Sequence, residues 1–358
     1  MTDARKPIPV FDGHNDVLLR IMRENNPDPV SCFFKPWPGG HLDIPRIRQG
    51  NFIGGFFAIY IPEQEDDHEA YEQWRRQPEY HLPLPDCLPL IYAQRNAIHQ
   101  AALFFKMQQD YPQHFVLCKD LNGIHDAKEH GKIAAILHME GADAIDPDLY
   151  FLDVLHAAGL RSLGFVWSRK TPFAEGVPFA FPSSPDTGPG LTSLGKALVQ
   201  RCNQLKIMID VSHLNEKGFW DIAELSNAPL VATHSNAHAI CPSSRNLTDA
   251  QLDAIRQSKG MVGINYATAF LRPDGQENTD TSLEIMIRHF DHMIEHLGVD
   301  HVGIGSDFDG ATIPAAIGDV TGTQRLLNAM AEHGYDEETI NKIAWKNWLS
   351  VLERIWSE

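Results

Sequence analysis

Histidine and carboxylate residues recur in this 358-residue sequence at the ends of short apolar runs. His14 and Asp16 stand in FDGHND, Glu140 in LHMEGAD, His213 in IDVSH, His234 in VATHS and Asp307 in GIGSDFDG. These are metal-ligand types, and the period of two in His14-x-Asp16 sends both side chains from one face of a strand. Singly, each is weak. His213 or His234 alone is more often a structural histidine, His14-x-Asp16 a surface turn, and Asp307 or Asp309 a turn former. Their shared position at run ends points to a bound divalent cation, because a buried carboxylate is costly unless paired or ligating. Mixed imidazole and carboxylate donors suit Zn²⁺, with Mn²⁺, Co²⁺ or Fe²⁺ compatible. The donors outnumber those of one open catalytic zinc. A metal pair about 3.5–4 Å apart, bridged by a carboxylate and a hydroxide, fits better. Glu140, central in the order, is the expected bridge, with His14 and Asp16 on one ion and His213 and His234 on the other. Asp307 remains as general base, able to pass a proton to a leaving amine.

The elements that must position these residues are the apolar runs themselves, at 9–16, 52–61, 133–140, 162–167, 207–213, 230–234, 261–266 and 301–307. Most are nearly continuous in apolar residues, as parallel strands covered on both faces are. Helical patterns lie between them. Thr248 and Gln251 have capping-box spacing ahead of a helix through Gln257. Asp336 is expected to cap a helix with Ile340, Ala344, Trp348 and Leu352 on one face. The alternation predicts an α/β chain forming a single (β/α)8 TIM barrel over residues 1–358, with its active site where the C-terminal ends of the strands converge. A doubly wound sheet would favour a Gly-rich phosphate loop after the first strand, and Asp12-Gly13-His14-Asn15-Asp16 is not one. Polar residues 63–89 and the Pro- and Gly-dense stretch 171–190 are expected to be insertions over the barrel.

Lys and Arg number 30 against 47 Asp and Glu, a net charge of −17. That balance argues against nucleic acid and anionic membrane surfaces as partners. The 5 cysteines are scattered without CxxC spacing, which argues against a disulfide framework. No secretory leader is visible at the amino terminus, and no apolar run approaches the roughly 20 residues needed to cross a bilayer. The expectation is a soluble cytoplasmic protein, with a homodimer as the default assembly.

The motifs FDGHND, LHMEGAD, IDVSH, THSNAHAICPSSRN and GSDFDG, in that order, resemble those of the membrane dipeptidase (renal dipeptidase) family of binuclear zinc peptidases. The resemblance implies a (β/α)8 barrel of the amidohydrolase type that hydrolyses dipeptides, often with a D-residue at the carboxyl side. It implies two Zn²⁺ ions held by His14, Asp16, Glu140, His213 and His234, and Asp307 as the acid/base. Arg245 matches the arginine that binds the substrate's terminal carboxylate, a role suited to a planar guanidinium. One segment departs from the family. Where animal members carry a substrate-contacting histidine, this sequence reads Val166-Trp167-Ser168-Arg169. Trp167 offers only an indole N–H, which leaves Arg169, or the metal alone, to meet the developing oxyanion. Two alternatives stand beside the dipeptidase: another amidohydrolase acting on a lactam, N-acyl amino acid or ester, and an inactive barrel used as a binding module. His-x-Asp with Glu140, in place of His-x-His with a bridging lysine, favours the dipeptidase over the first. The complete set of ligands argues against the second.

Overall fold

The computed structural model describes residues 6–64 and 77–357. Its strands are β1 Val10–Asn15, β2 Phe52–Tyr60, β3 Tyr80–His81, β4 Phe115–Leu117, β5 Ile133–Glu140 and β6 Leu160–Gly164. They continue as β7 Ala180–Phe181, β8 Met208–Asp210, β9 Val231–Ala232, β10 Met261–Ile264 and β11 Val302–Ile304. A parallel ring runs β2-β1-β11-β10-β9-β8-β6-β5, and β5 closes it on β2 from Gly54↔Ala134 to Tyr60↔Glu140. With helices between successive ring strands, this is the (β/α)8 barrel that the apolar runs predict.

Period-two alternation explains how one strand serves both core and site. Ile136, His138 and Glu140 share a face of β5. Ile136 packs in a buried cluster with Phe11, Phe56, Met208, Met261 and Trp348. Trp348 comes from the C-terminal helix Asn347–Trp356, and its indole N–H donates to the Ile304 carbonyl at 2.9 Å. The side chains above that plug are polar. The barrel floor is therefore closed by apolar side chains, and the buried polar ones gather toward the mouth.

Several boundaries differ from the expectations, each for a physical reason. β8 ends at Asp210, β9 at Ala232 and β11 at Ile304, so His213, His234 and Asp307 stand on the turns beyond them. His213 and Asp307 have φ of 65° and 59°. Those left-handed values cannot continue a ladder, and apolar patterning does not reveal them. β6 starts at Leu160 and stops at Gly164, leaving Trp167 on the following loop. β4 pairs with the first half of β5 outside the ring; three residues are too few to carry a period. The capping box of Thr248 and Gln251 is present. Asp336 accepts from the Thr339 N–H, but the helix it opens passes through a π turn at Lys342–Lys346 before resuming.

β3 and β7 form a separate antiparallel pair. It joins residues of the two stretches expected as insertions, 63–89 and 171–190, beside the mouth. Residues 65–76 of the first stretch lie outside the described residues. No helix among the described residues is long and apolar enough to cross a membrane.

Candidate metal centre

The sequence-predicted ligands come together at the C-terminal mouth. His14 sits in β1 and Glu140 ends β5. Asp16 occupies the N-cap position of the helix Val17–Arg23, but its carboxylate makes no capping bond and is left for the site. The two Glu140 oxygens face different neighbours. Oε1 lies 2.9 Å from His213 Nε2 and 3.3 Å from His234 Nε2, while Oε2 lies 3.6 Å from His14 Nε2. His14 Nε2 is also 3.4 Å from Asp16 Oδ2. His14, Asp16 and Asp307 offer donor atoms within 4.8 Å of one another, as do His14, Glu140 and His234.

Whether this set fits a cation can be judged from the imidazoles. His213 Nε2 and His234 Nε2 are 3.1 Å apart. Two nitrogens bound to one tetrahedral zinc at about 2.0–2.1 Å stand roughly 3.3 Å apart. The His234 tautomer is fixed from behind. The Thr233 hydroxyl donates to Asp210 Oδ2 at 2.5 Å, so its oxygen accepts from His234 Nδ1 at 2.8 Å, leaving Nε2 as a lone pair. His213 Nδ1 pairs with Ser168 Oγ at 2.9 Å. Both nitrogens of His14 and Asp16 Oδ1 are buried without a hydrogen-bond partner. Buried polar atoms are rarely left so. These orphaned donors are what a metal pair would satisfy.

Electrostatics agree with that fit at His213 and His234, whereas His14 holds a proton that a bound cation would displace. Burial, reinforced by Arg245, pushes the His213 imidazole down to about 4. Burial and then His14 hold His234 well below its usual range, so both are kept neutral, as ligands must be. Burial would also lower His14, but Glu140 and Asp16 hold it well above. Glu140 would rise on burial, yet the imidazoles around it, His14 first, hold it well below its usual range. Burial lifts Asp16 to about 7 and raises Asp307.

A cavity of about 500 Å³ opens onto this cluster, and Asp16, Glu140, His213 and Asp307 line it. Tyr60, Trp167, Phe179 and Phe270 form aromatic parts of its wall. Trp167 meets Tyr60 and Phe179 edge-on, at centroid distances of 5.3 and 5.4 Å. Arg169 is fully buried and is not among the lining residues. Its guanidinium donates to the Ile61 carbonyl at 2.7 Å and the Tyr60 hydroxyl at 3.2 Å, and lies near Glu63 and Asp143. Arg245 is buried behind His234, donating to the His234 carbonyl at 2.7 Å and Ser235 Oγ at 2.9 Å. Its Nε has no hydrogen-bond partner.

Residue-type reasoning missed the supports of these groups. Asp210 accepts from the Ser212 and Thr233 backbone N–H groups, both at 2.9 Å, and so shapes the turns that carry His213 and His234. A carboxylate inside the apolar run 207–213 was the available signal. Asn265 and Asn236 exchange bonds, Asn265 N–H to Asn236 Oδ1 at 3.1 Å and Asn236 Nδ2 to the Asn265 carbonyl at 3.0 Å. Nothing in the sequence singles out this pair, because asparagine is common in loops.

The family model described as membrane dipeptidase (Peptidase family M19) matches residues 2–357. Among solved structures, a metallo peptidase from Rhodobacter sphaeroides liganded with a phosphinate mimic of the dipeptide L-Ala-D-Ala is 52% identical. The match covers 98% of this chain and 100% of that one, with a TM-score of 0.96. The probable dipeptidase PvdM from Pseudomonas aeruginosa shares the fold at 24% identity and a TM-score of 0.81, covering 97% and 95% of the two chains. An uncharacterized protein in the PQQ-III 3′ region of Acinetobacter calcoaceticus is 43% identical over 295 residues, 81% of this chain and 90% of that protein.

Proposed function

The chain belongs to the membrane dipeptidase family and is a metal-dependent dipeptidase; we propose that two Zn²⁺ ions, divided by Glu140, serve it. In this proposal His14 and Asp16 hold one ion, His213 and His234 the other, and Glu140 gives one oxygen to each. The observation that carries the proposal is the split of the Glu140 oxygens between His14 and the His213–His234 pair. Bound there, the ions supply Lewis acidity toward a scissile carbonyl and acidify water to near neutral pH.

The remaining roles belong to the chain's own groups. Asp307 holds a proton taken from the nucleophilic water and gives it to the leaving amine. Its Oδ2 accepts from Asn265 Nδ2, which leaves Oδ1 for that exchange. Arg245, a buried guanidinium with a spare Nε donor, receives the terminal carboxylate, so that only short peptides fit. Trp167 supplies an aromatic wall to the substrate. Arg169 acts on the substrate through that wall: its Nη2 donates to the Tyr60 hydroxyl and the Ile61 carbonyl, while Nε and Nη1 face Asp143 and Glu63 without a hydrogen bond. Dipeptides with a D-residue at the carboxyl side are proposed as substrates, on the strength of the ligand bound to the Rhodobacter relative. A cytoplasmic homodimer completes the proposal, readable by fractionation and sedimentation.

The test is hydrolysis of L-Ala-L-Ala and L-Ala-D-Ala by zinc-loaded protein. Cleavage that a chelator abolishes and zinc restores is expected. Retained zinc with no cleavage of any dipeptide, but turnover of a lactam or ester, would contradict it.

A further inference from the structure

Away from the mouth, two outer helices bring a different set of metal-binding side chains together. His292 and His296 lie on the helix Leu283–Leu297. Their i,i+4 spacing sets both imidazoles on one face, with ring centroids 4.5 Å apart. Asp249 opens the helix Asp249–Gln257, which packs against the first. One oxygen of Asp249 faces each imidazole: Oδ1 is 2.8 Å from His292 Nε2 and Oδ2 is 3.8 Å from His296 Nε2. All three groups can offer donor atoms within 4.8 Å of one another.

Asp249 is not needed to cap its own helix. Thr248 and Gln251 do that through a complete capping box, so the carboxylate is free for the histidines. The histidine side chains are 19% and 26% exposed. They are open enough to exchange a cation with solvent and buried enough to be held in place. His296 also lies in the last turn of its helix, where the carbonyl ends favour positive charge.

We propose that Asp249, His292 and His296 form a peripheral divalent-cation site, of a donor set suited to Zn²⁺, that ties these two helices together. Two imidazoles and one carboxylate leave a coordination position for water. The site is independent of the centre at the barrel mouth. Its cation links the helix that follows the Arg245 segment to the helix that precedes β11, so its effect is on stability rather than on turnover.

The experiment is calorimetric titration of Zn²⁺ into holoenzyme whose active-centre metal is retained, alongside thermal melts with and without excess Zn²⁺. The wild type should take up one further equivalent and melt at higher temperature in excess Zn²⁺. His292→Ala/His296→Ala should lose that equivalent and the rise in melting temperature, with kcat/KM unchanged. If that variant does not fold, Asp249→Asn carries the test. Its amide oxygen still accepts from His292 but brings no charge, and Zn²⁺ should bind at least tenfold more weakly. No additional equivalent in the wild type, or an unchanged one in the variant that folds, would overturn the site and leave the His292–Asp249 contact as a hydrogen bond only.

Discussion

The Asn265 side-chain amide donates to Asp307 Oδ2 at 3.0 Å, and the other Asp307 oxygen, Oδ1, lies beside Asp16 Oδ2 over Gly310. A Cβ built on Gly310 would meet those two oxygens at 2.4 and 2.1 Å. The carboxylate is thus held by an amide on one side, with its other oxygen beside Asp16. Asp307→Asn should keep its zinc and lose about 10²–10⁴-fold in kcat, the usual span for a general acid–base group. Zinc content and steady-state rates, measured on the same preparation, check this.

Asn265→Asp tests the clamp itself. The new carboxylate keeps the acceptor that holds the Ala267 N–H at 2.6 Å but faces Asp307 Oδ2 without a proton to give. Two close carboxylates cannot both ionise easily, so the pair retains a proton to higher pH. The acid limb of kcat/KM should move upward, with kcat lowered by about 10- to 100-fold. A purely structural effect would lower the rate and leave the limb in place.

Arg245→Met should raise KM for dipeptides by roughly 10- to 100-fold, the loss of a charge-assisted hydrogen bond worth about 1.5–3 kcal/mol. Its kcat should change far less. Because Arg245 also donates to the His234 carbonyl, zinc content must be measured in parallel to separate substrate binding from a displaced ligand.

How much of this was legible in the sequence depends on what each residue does. The ring strands were readable because continuous apolar runs report burial on both faces, and 133–140 matches β5 residue for residue. The metal-ligand types were readable because buried histidine and carboxylate are chemically conspicuous. The turns that carry them were not. His213 and Asp307 leave their strands through left-handed backbone, which neither composition nor period reports. Ser168, Thr233 and Asn265 act through single hydrogen bonds to His213, His234 and Asp307; nothing distinguishes them from surface hydroxyls and amides until the chain is folded. The surroundings of Arg169 were equally hidden: its Nη2 is taken by Ile61 and Tyr60, while Nε and Nη1 face Asp143 and Glu63.

His289 gives a pH dependence of stability that is separate from the metals. It accepts from the Ala237 N–H at 3.2 Å and donates to the Leu271 carbonyl at 2.9 Å. Burial lowers its imidazole to about 4, from an ordinary 6.5. Between those values the unfolded chain binds the extra proton, so this contribution is complete above pH 6.5 and is lost as pH falls toward 4, by at most about 1.4 kcal/mol per pH unit. His289→Gln, which does not titrate, should flatten the denaturation midpoint against pH in that window.

Glu140→Gln should weaken both metal positions together, since one carboxylate faces both sets of histidines. Zinc retained after dialysis should fall well below that of the wild type, whereas His234→Ala should spare the position beside Asp16 more than the one beside His213.

The central claim is that one carboxylate divides two ions between two ligand sets. Anomalous diffraction at the zinc edge from crystals of the zinc-loaded protein tests it most directly. The account predicts two peaks on opposite sides of Glu140, one against His14 and Asp16 and the other against His213 and His234. A single peak, or a pair that leaves Glu140 outside the coordination of either ion, would contradict it.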